Sequence, residues 1–310
     1  MFSVLTEPNY PKAAIGLERE AVTALALQKE GRGRFGVKQA ATIELPTNLL
    51  TPSFVERNIG SSEELRVLLE EAVLSAGLAN QKNWSISLPS NTARTAILTL
   101  DSGTTGKGET EEVLDWKAEQ SFGAPSGELR ITRQKISNDR EGRSRYFASA
   151  VKLAVIDEYE TIFESLGWTA GLILPRAVSE TKWLMGNERT DSLLLSSQTD
   201  GFTALLLRGD EPAVIRTVTC GKNERDDEIY RLLMFYNDRF ADPNSGGLLE
   251  TLLVVGKDML PAKIKEISTE ALGRALRVLR AEDVGLNVPV GSLSFDDLAA
   301  PAGLASYGWR

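Results

Sequence analysis

Short apolar runs separated by polar turns open the sequence. Residues 14–17 and 21–27 are two such runs, and residues 35–45 alternate well enough for a third strand. Pro46 ends that strand, and residues 62–76 have the apolar spacing of a helix that begins at a serine N-cap. The pattern therefore predicts a three-stranded meander followed by a helix.

The same order of elements returns in the second half of the chain. Residues 192–196, 202–208 and 213–219 read as three strands, with a turn between the last two at 209–212. A helix and a buried strand are predicted after them. The recurrence predicts two related α/β lobes, although three-stranded meanders are common enough for coincidence to remain the alternative.

Residues 92–165 interrupt the first lobe. Their pattern predicts a strand, a helix over 110–121, a hairpin around a charged tip at 138–144, and a helix over 156–166. We interpret this segment as an inserted small subdomain. The predicted boundaries are an N-terminal arm (1–12), a first lobe (13–187) with the insertion (92–165), a second lobe (188–295), and a C-terminal segment that returns to the first lobe (296–310).

The composition excludes several kinds of chemistry. The chain has 310 residues, no histidine and a single cysteine, Cys220. Catalytic triads that use histidine, His-ligated zinc and Cys₄ metal sites are therefore excluded, and we expect no metal. Carboxylate, hydroxyl and lysine chemistry, or the chemistry of a bound nucleotide, remains.

Charge and apolar run length indicate the compartment. The formal net charge is −8, which argues against nucleic acid as the main partner because an acidic surface repels phosphate. A lone cysteine fits a reducing compartment. The N-terminus lacks the pattern of a signal peptide, and no apolar run approaches the roughly 20 residues that span a bilayer. We therefore expect a cytoplasmic protein without a membrane span.

One glycine-rich stretch is similar to a phosphate loop but departs from it. The Walker pattern needs four residues between its glycines and a serine or threonine after the lysine. Here two residues separate Gly103 from Gly106, and Gly108 follows Lys107. We interpret the stretch as a loop between a strand and a helix.

Several blocks together resemble one family. Residues 115–120 (DWKAEQ) are similar to a Trp-x-Ala-Glu-Gln motif of the PilM-like type IV pilus assembly proteins, which belong to the actin-like ATPase superfamily. Residues 159–167 are a second match, and 86–89 and 253–256 match weaker blocks. The resemblance covers roughly residues 13–310. It implies an α/β, actin-like (ribonuclease H-like) fold of two lobes, with the inserted subdomain in the first lobe.

The family's nucleotide motifs are altered in this sequence. Glu18 stands where the resemblance places the aspartate of the first phosphate loop, and Ser196 replaces the aspartate of the second. The positions that correspond to the family's nucleotide motifs are Glu18, Ser196, Gln198, Thr199, Gly256 and Lys257. Because side chains replace glycines that would let the backbone approach phosphate, we expect no catalytic residue and no cofactor, with weak binding of ATP and magnesium as the alternative.

The resemblance also implies a partner. PilM-like proteins dock the cytoplasmic tail of PilN, a bitopic inner-membrane protein, so a bacterial scaffold recruited to the inner membrane is the leading interpretation. The residues that we assign to partner binding are Trp116, Phe122, Leu98 and Leu100. The alternative for the two aromatic residues is ordinary core. The alternative functions are a competent actin-like ATPase or sugar-kinase-like enzyme, or a cytoplasmic component of a type II secretion platform.

Overall fold

Two mixed β-sheets with the same strand order organise the chain, and a smaller third sheet accompanies them. The computed structural model describes residues 8–101, 107–186, 190–240, 248–289, 291 and 293–309. The predicted arm, the loop after Gly103 and the predicted junction near residue 188 therefore lie partly outside the described residues.

The secondary structure follows the predicted order of elements up to residue 272, whereas the strands and the helix beyond that residue were not predicted. In the described residues the strands are β1 (Ala13–Leu17), β2 (Ala21–Gly31), β3 (Arg34–Glu44), β4 (Asn83–Leu88), β5 (Arg94–Thr99), β6 (Leu129–Ile136), β7 (Arg145–Lys152), β8 (Thr169–Pro175), β9 (Asp191–Gln198), β10 (Gly201–Arg208), β11 (Glu211–Thr219), β12 (Leu249–Val255), β13 (Arg277–Val278) and β14 (Leu286–Asn287). The helices are α1 (Ser62–Ser75), α2 (Lys107–Phe122), α3 (Leu153–Ser165), α4 (Arg176–Glu180), α5 (Arg225–Phe240), α6 (Pro261–Leu272) and α7 (Phe295–Ser306).

The first sheet has the order β14-β3-β2-β1-β4-β8. The strands β3, β2 and β1 form an antiparallel meander, whereas β1, β4 and β8 run parallel to one another. The strand β1 is buried along its whole length, as expected for a central strand covered on both faces. The β1–β2 turn, which contains Glu18, follows directly after the C-terminal end of this strand.

The second sheet repeats this plan as β11-β10-β9-β12-β13. Here β11, β10 and β9 are the antiparallel meander, and β12 runs parallel to both β9 and β13. The two meanders lie in separate sheets of matching order, so the recurrence in the sequence reflects two related units. Leucines from β9, β10 and β12 form the core of the second unit together with α5 and α6.

Helix α7 packs closely on the first sheet. It contacts β1, β2 and β4, and its residues from Leu298 to Ser306 are all buried. The helix consists largely of small residues, and a Cβ atom added at Gly16 would lie 2.9 Å from Cγ of Pro301. The absence of a side chain at Gly16 thus lets α7 pack closely against β1, next to the start of the β1–β2 turn.

The inserted segment forms an antiparallel sheet of order β5-β7-β6, which α2 covers. Arg133 on β6 makes ion pairs with Glu111 and Asp115 on α2, the first at 3.2 Å. The residues Leu114, Ala118 and Phe122 follow one another at intervals of four on α2, and all are buried. This spacing directs one face of α2 toward the sheet.

Contacts divide the chain at boundaries that differ from the predicted ones. One unit contains residues 1–92, 155–182 and 285–310, and the other contains 93–154 and 183–284. The insertion is therefore shorter than the predicted 92–165, because α3 buries Val155, Ile156, Tyr159, Ile162 and Phe163 and belongs to the first unit. The inserted sheet itself is grouped with the second unit, in which the start of β11 contacts it. Ser137 donates its backbone N–H to the Glu211 carboxylate at 2.8 Å.

No helix among the described residues is both long enough and apolar enough to cross a membrane.

Candidate functional site

The turn between β1 and β2 carries Glu18, the first of the positions that the sequence predicts to correspond to nucleotide motifs. Glu18 follows β1 directly, and its backbone N–H donates to the carbonyl of Ala21 at 2.9 Å, which closes the turn. The carbonyl of Glu20 accepts the N–H of Leu45 at 2.8 Å, so the turn is also tied to the residue after β3. The N–H of Glu18 and the carbonyl of Glu20 are thus both bound within the protein.

An arginine lies between two carboxylates beside this turn. Arg176, at the start of α4, contacts Glu18 through Nη1 at 2.9 Å and Glu180 through Nε at 2.7 Å. The side chain of Glu180 is fully buried and that of Arg176 is 11% exposed, whereas Glu18 is 34% exposed. The cluster of Glu18, Arg176 and Glu180 joins β1 to α4 within the first unit.

Burial and neighbouring charge act in opposite directions on Glu18. Burial raises the pKa of Glu18 to about 7, because the guanidinium of Arg176 offsets the lost hydration only in part and the Glu180 carboxylate repels a second negative charge. With Glu18 ionised, the cluster of one guanidinium and two carboxylates has a net negative charge. Such a cluster opposes the approach of an anion to the turn.

The second hairpin holds Ser196, Gln198 and Thr199 in different environments. Ser196 is fully buried in β9, and its hydroxyl has no hydrogen-bond partner among the described residues. Gln198 is buried and donates through its side-chain amide to the Thr203 hydroxyl on β10. Thr199, in the turn itself, is exposed. Of these three predicted positions, only Thr199 is presented to solvent.

A second arginine is bound at this hairpin. Arg225, the first residue of α5, pairs with Asp258 at 2.6 Å and donates to the backbone carbonyl of Gln198 at 3.1 Å. The Ser197 hydroxyl donates to the other carboxylate oxygen of Asp258. These hydrogen bonds and the charge of Arg225 lower the pKa of Asp258 in spite of its partial burial. The guanidinium, only 4% exposed, is thus used in binding the ends of β9 and β12 together.

Gly256 lies where β12 ends beside Ser197. Its φ is +138°, and a Cβ atom built there would lie 2.2 Å from Cβ of Ser197. A side chain at this position would force the two strand ends apart, so the glycine serves their close approach. Lys257, the next residue, is exposed. Of these two predicted positions, Gly256 therefore serves packing and Lys257 lies at the surface.

The four residues assigned to partner binding divide into core and surface. Phe122 is fully buried, and Leu98 and Leu100 are 2% and 4% exposed. They lie in the interior of the inserted subdomain, so direct contact with a partner is not compatible with their burial, and the core alternative holds for Phe122. Trp116 is 57% exposed on the opposite side of α2. The difference follows from helix geometry, because Trp116 is half a turn away from both Leu114 and Ala118.

Sequence reasoning did not find the charged residues that complete these clusters. Arg176 and Glu180 are four residues apart on a helix, which predicts an ion pair between them but not their contact with Glu18. Arg225 and Asp258 come from separate elements and are joined only by the fold. The signal that could have raised attention is an arginine at the first position of both α4 and α5, where a cation opposes the helix dipole.

No protein-family model matches the chain, and none of the curated proteins matches it. Among solved structures, the chain is similar to one from a PilM-PilN type IV pilus biogenesis complex, with 15% sequence identity, a TM-score of 0.76, and coverage of 98% of this chain and 100% of that one. A second is the cytoplasmic domain of EpsL, an inner membrane component of the type II secretion system of Vibrio cholerae. It has 11% identity, a TM-score of 0.47, and coverage of 96% and 93%.

A third similar structure is a protein of Bacteroides thetaiotaomicron described as having an actin-like ATPase fold and unknown function, with 11% identity, a TM-score of 0.44, and coverage of 96% and 98%. The match to the PilM-PilN complex extends over essentially the whole of both chains. Together with the repeated strand order, it confirms at the level of fold the resemblance found in the sequence: this chain has the actin-like α/β fold of the pilus-biogenesis chain that it matches.

Proposed function

We propose that this chain is a scaffold of type IV pilus assembly that binds the cytoplasmic tail of a PilN-like inner-membrane protein. The observation that carries the proposal is the fold match to a chain of a PilM-PilN type IV pilus biogenesis complex, which leaves no large part of either chain unmatched. The PilM-like blocks in the sequence point in the same direction. The chain would work in the cytoplasm and reach the membrane through its partner.

The residues at the predicted nucleotide positions support a scaffold that binds a protein partner rather than an enzyme that hydrolyses ATP. Phosphoryl transfer needs cations or a metal placed to stabilise developing negative charge. In the first unit Arg176 is held between Glu18 and Glu180, and in the second unit Arg225 is held by Asp258. Residues arranged in this way do not fit a nucleoside triphosphate, since carboxylates already bind both arginines and Glu18 adds repulsion once it ionises above about pH 7.

Within the inserted subdomain, Trp116 is the residue that we assign to the partner. Phe122, Leu98 and Leu100 are buried in the same subdomain, in which α2 packs against β5, and they contribute to the core that holds the helix carrying Trp116. Aromatic residues are frequent hot spots at protein interfaces, since they bring large apolar area with little loss of side-chain freedom.

Calorimetry with a synthetic peptide tests the proposal. The peptide is the cytoplasmic tail of the PilN-like protein encoded beside this gene, titrated into the purified full chain. We expect saturable one-to-one binding, and co-purification of the chain with inner membranes only when that partner is present. Absence of binding by the peptide, or recovery with membranes that lack the partner, would contradict the scaffold proposal.

A further inference from the structure

Trp116 lies on the outward face of α2 and is not part of the buried core. The buried stripe of Leu114, Ala118 and Phe122 already covers the small sheet. Trp116 lies on the opposite side of the helix and is more than half exposed. A helix of this kind ordinarily has polar residues on its solvent side, so Trp116 is a large apolar side chain that is available for a contact outside this chain.

Two exposed carboxylates lie on the same side of α2 as Trp116. Glu109 and Glu112 precede it by seven and four residues, spacings that bring side chains to one face of a helix. The remaining acidic residues of α2 are used elsewhere. Glu111 and Asp115 pair with Arg133, and Glu119 accepts the backbone N–H of Ser126 at 2.8 Å.

This division of the acidic residues defines the outer face of α2, formed by Glu109, Glu112 and Trp116. Its two carboxylates make it negative, and Trp116 lies at its C-terminal end. A lysine or arginine side chain fits both properties, because its cation is attracted to the face of an indole ring and to the adjacent carboxylates. An anionic lipid surface, by contrast, would be repelled.

Resting on the proposed function, we propose that the outer face of α2 binds the basic, membrane-proximal part of the partner's cytoplasmic tail. Cytoplasmic segments next to a membrane span carry an excess of lysine and arginine. The partner of this chain is such a segment, so its charge complements Glu109 and Glu112. A basic side chain of the tail lies over Trp116, and the carboxylates set its orientation.

The test uses the tail peptide and three single variants of the full chain. Trp116→Ala should weaken binding about thirtyfold or more, the equivalent of the loss of about 2 kcal/mol that defines an aromatic hot spot. Glu112→Lys should weaken it about threefold to tenfold, because it replaces attraction with repulsion. Glu270→Lys, which makes the same charge change at an exposed position of α6, should leave the affinity unchanged. All three sites are exposed, and unchanged melting temperatures will verify folding.

A second peptide and a change of salt test the role of charge. A tail peptide with its lysines and arginines replaced by glutamine should bind about as weakly to the native chain as the native tail binds to Trp116→Ala. Raising the salt concentration from about 0.1 to 1 M shortens the Debye length from roughly 10 to 3 Å, and should weaken the native complex more than that of Glu112→Lys.

The outcomes separate this inference from the proposed function. If the tail binds the native chain and both the Trp116→Ala and Glu112→Lys variants equally well, the proposed function stands and the inference is overturned. If the tail does not bind at all, both are overturned. Binding of the chain to vesicles of anionic phospholipid that is lost in Trp116→Ala would also overturn the inference, because the face would then be a lipid contact.

Discussion

At the residue scale, Glu18 shows how one side chain changes the character of a turn. Glu18 lies in the β1–β2 turn, and its carboxylate contacts Arg176 at 2.9 Å. Glu180 shares the same guanidinium. A turn that could present N–H groups and a cation to an anion instead presents a carboxylate bound in an internal cluster.

Glu18 should make stability depend on pH near neutrality. The folded protein retains the Glu18 proton up to about pH 7, whereas the unfolded chain releases it near the ordinary pKa of 4.5. In this window the folded state binds more protons, so the contribution of Glu18 to the free energy of unfolding decreases as pH rises. We expect Glu18→Gln to match the native protein at about pH 5 and to exceed it in stability at about pH 8.

Urea unfolding at the two pH values measures this difference. Glu20→Gln removes an exposed carboxylate from the same turn without touching Arg176, and it should follow the native protein at both. A native protein that gains stability relative to Glu18→Gln on going from pH 5 to pH 8 would show that the charge of Glu18 is stabilising, contrary to this expectation.

Asn58 should be a residue on which the first unit depends. Its carboxamide oxygen accepts from the hydroxyls of Thr92 and Tyr159 at 3.0 and 3.1 Å, and its NH₂ group donates to the carbonyls of Ser53 and Glu56 at 2.7 and 2.8 Å. Replacement by alanine removes the partner of two buried hydroxyls and of two partly buried carbonyls. We expect Asn58→Ala to lower the free energy of unfolding by about 2–4 kcal/mol.

Equilibrium unfolding in urea checks the effect of Asn58→Ala. Asn80→Ala is the matched control, because Asn80 is exposed. Its expected change is within about 0.5 kcal/mol. Equal stability of the two variants would mean that water replaces the lost hydrogen bonds.

At the element scale, the ends of β9 and β12 are brought together more closely than side chains normally permit. Gly256 makes the backbone contact, and Arg225 and Asp258 bind the two strand ends from the side of α5. The sequence identified Gly256 as the surviving glycine of a nucleotide loop. The structure gives it a packing role that is independent of any ligand.

Gly256→Ala should therefore destabilise the protein whether or not a nucleotide is present. The added Cβ would lie 2.2 Å from Cβ of Ser197, at a backbone φ of +138° that residues other than glycine rarely adopt. We expect a loss of about 3 kcal/mol or more in thermal or urea unfolding. Gly127→Ala, with nothing within 4 Å of its added Cβ, should change stability by less than about 1 kcal/mol.

At the scale of the whole molecule, two sheets of related order are the outcome of one repeated pattern. The meanders β3-β2-β1 and β11-β10-β9 each continue into a parallel strand, β4 and β12 respectively. Each meander unit also has an arginine that is held by carboxylates close to its first hairpin. The two units therefore share their strand order, and in each an arginine (Arg176 or Arg225) forms an ion pair within its own unit.

Magnesium-ATP should leave the stability of the whole molecule unchanged. A ligand at a hundred times its dissociation constant adds about 2.7 kcal/mol to the free energy of unfolding, which thermal unfolding would readily detect. With the cations of both units bound to carboxylates, we expect no resolved shift in melting temperature and no release of phosphate. A large magnesium-dependent shift would contradict this expectation and favour a competent ATPase.

The sequence by itself determined the elements up to α6, their order and the repetition of the meander, but it did not predict β13, β14 or α7. Strand and helix periods are local, and the turns at residue 18 and near residue 200 follow from nearest neighbours along the chain. The burial of Phe122 was left open by the sequence, because an aromatic residue on a helix suits either a core or an interface. Only its phase with Leu114 and Ala118 against the small sheet decided it.

Tertiary structure alone decided which charges meet and which unit the inserted sheet joins. The contact of Glu18 with Arg176 and that of Arg225 with Asp258 join residues far apart in the sequence, and their energies depend on burial that no local pattern encodes. The tertiary structure also decided to which unit α3 belongs, because the apolar pattern of this helix suits packing in either unit. Local patterns fix which residues can be buried, whereas the surface that buries them is set by the rest of the chain.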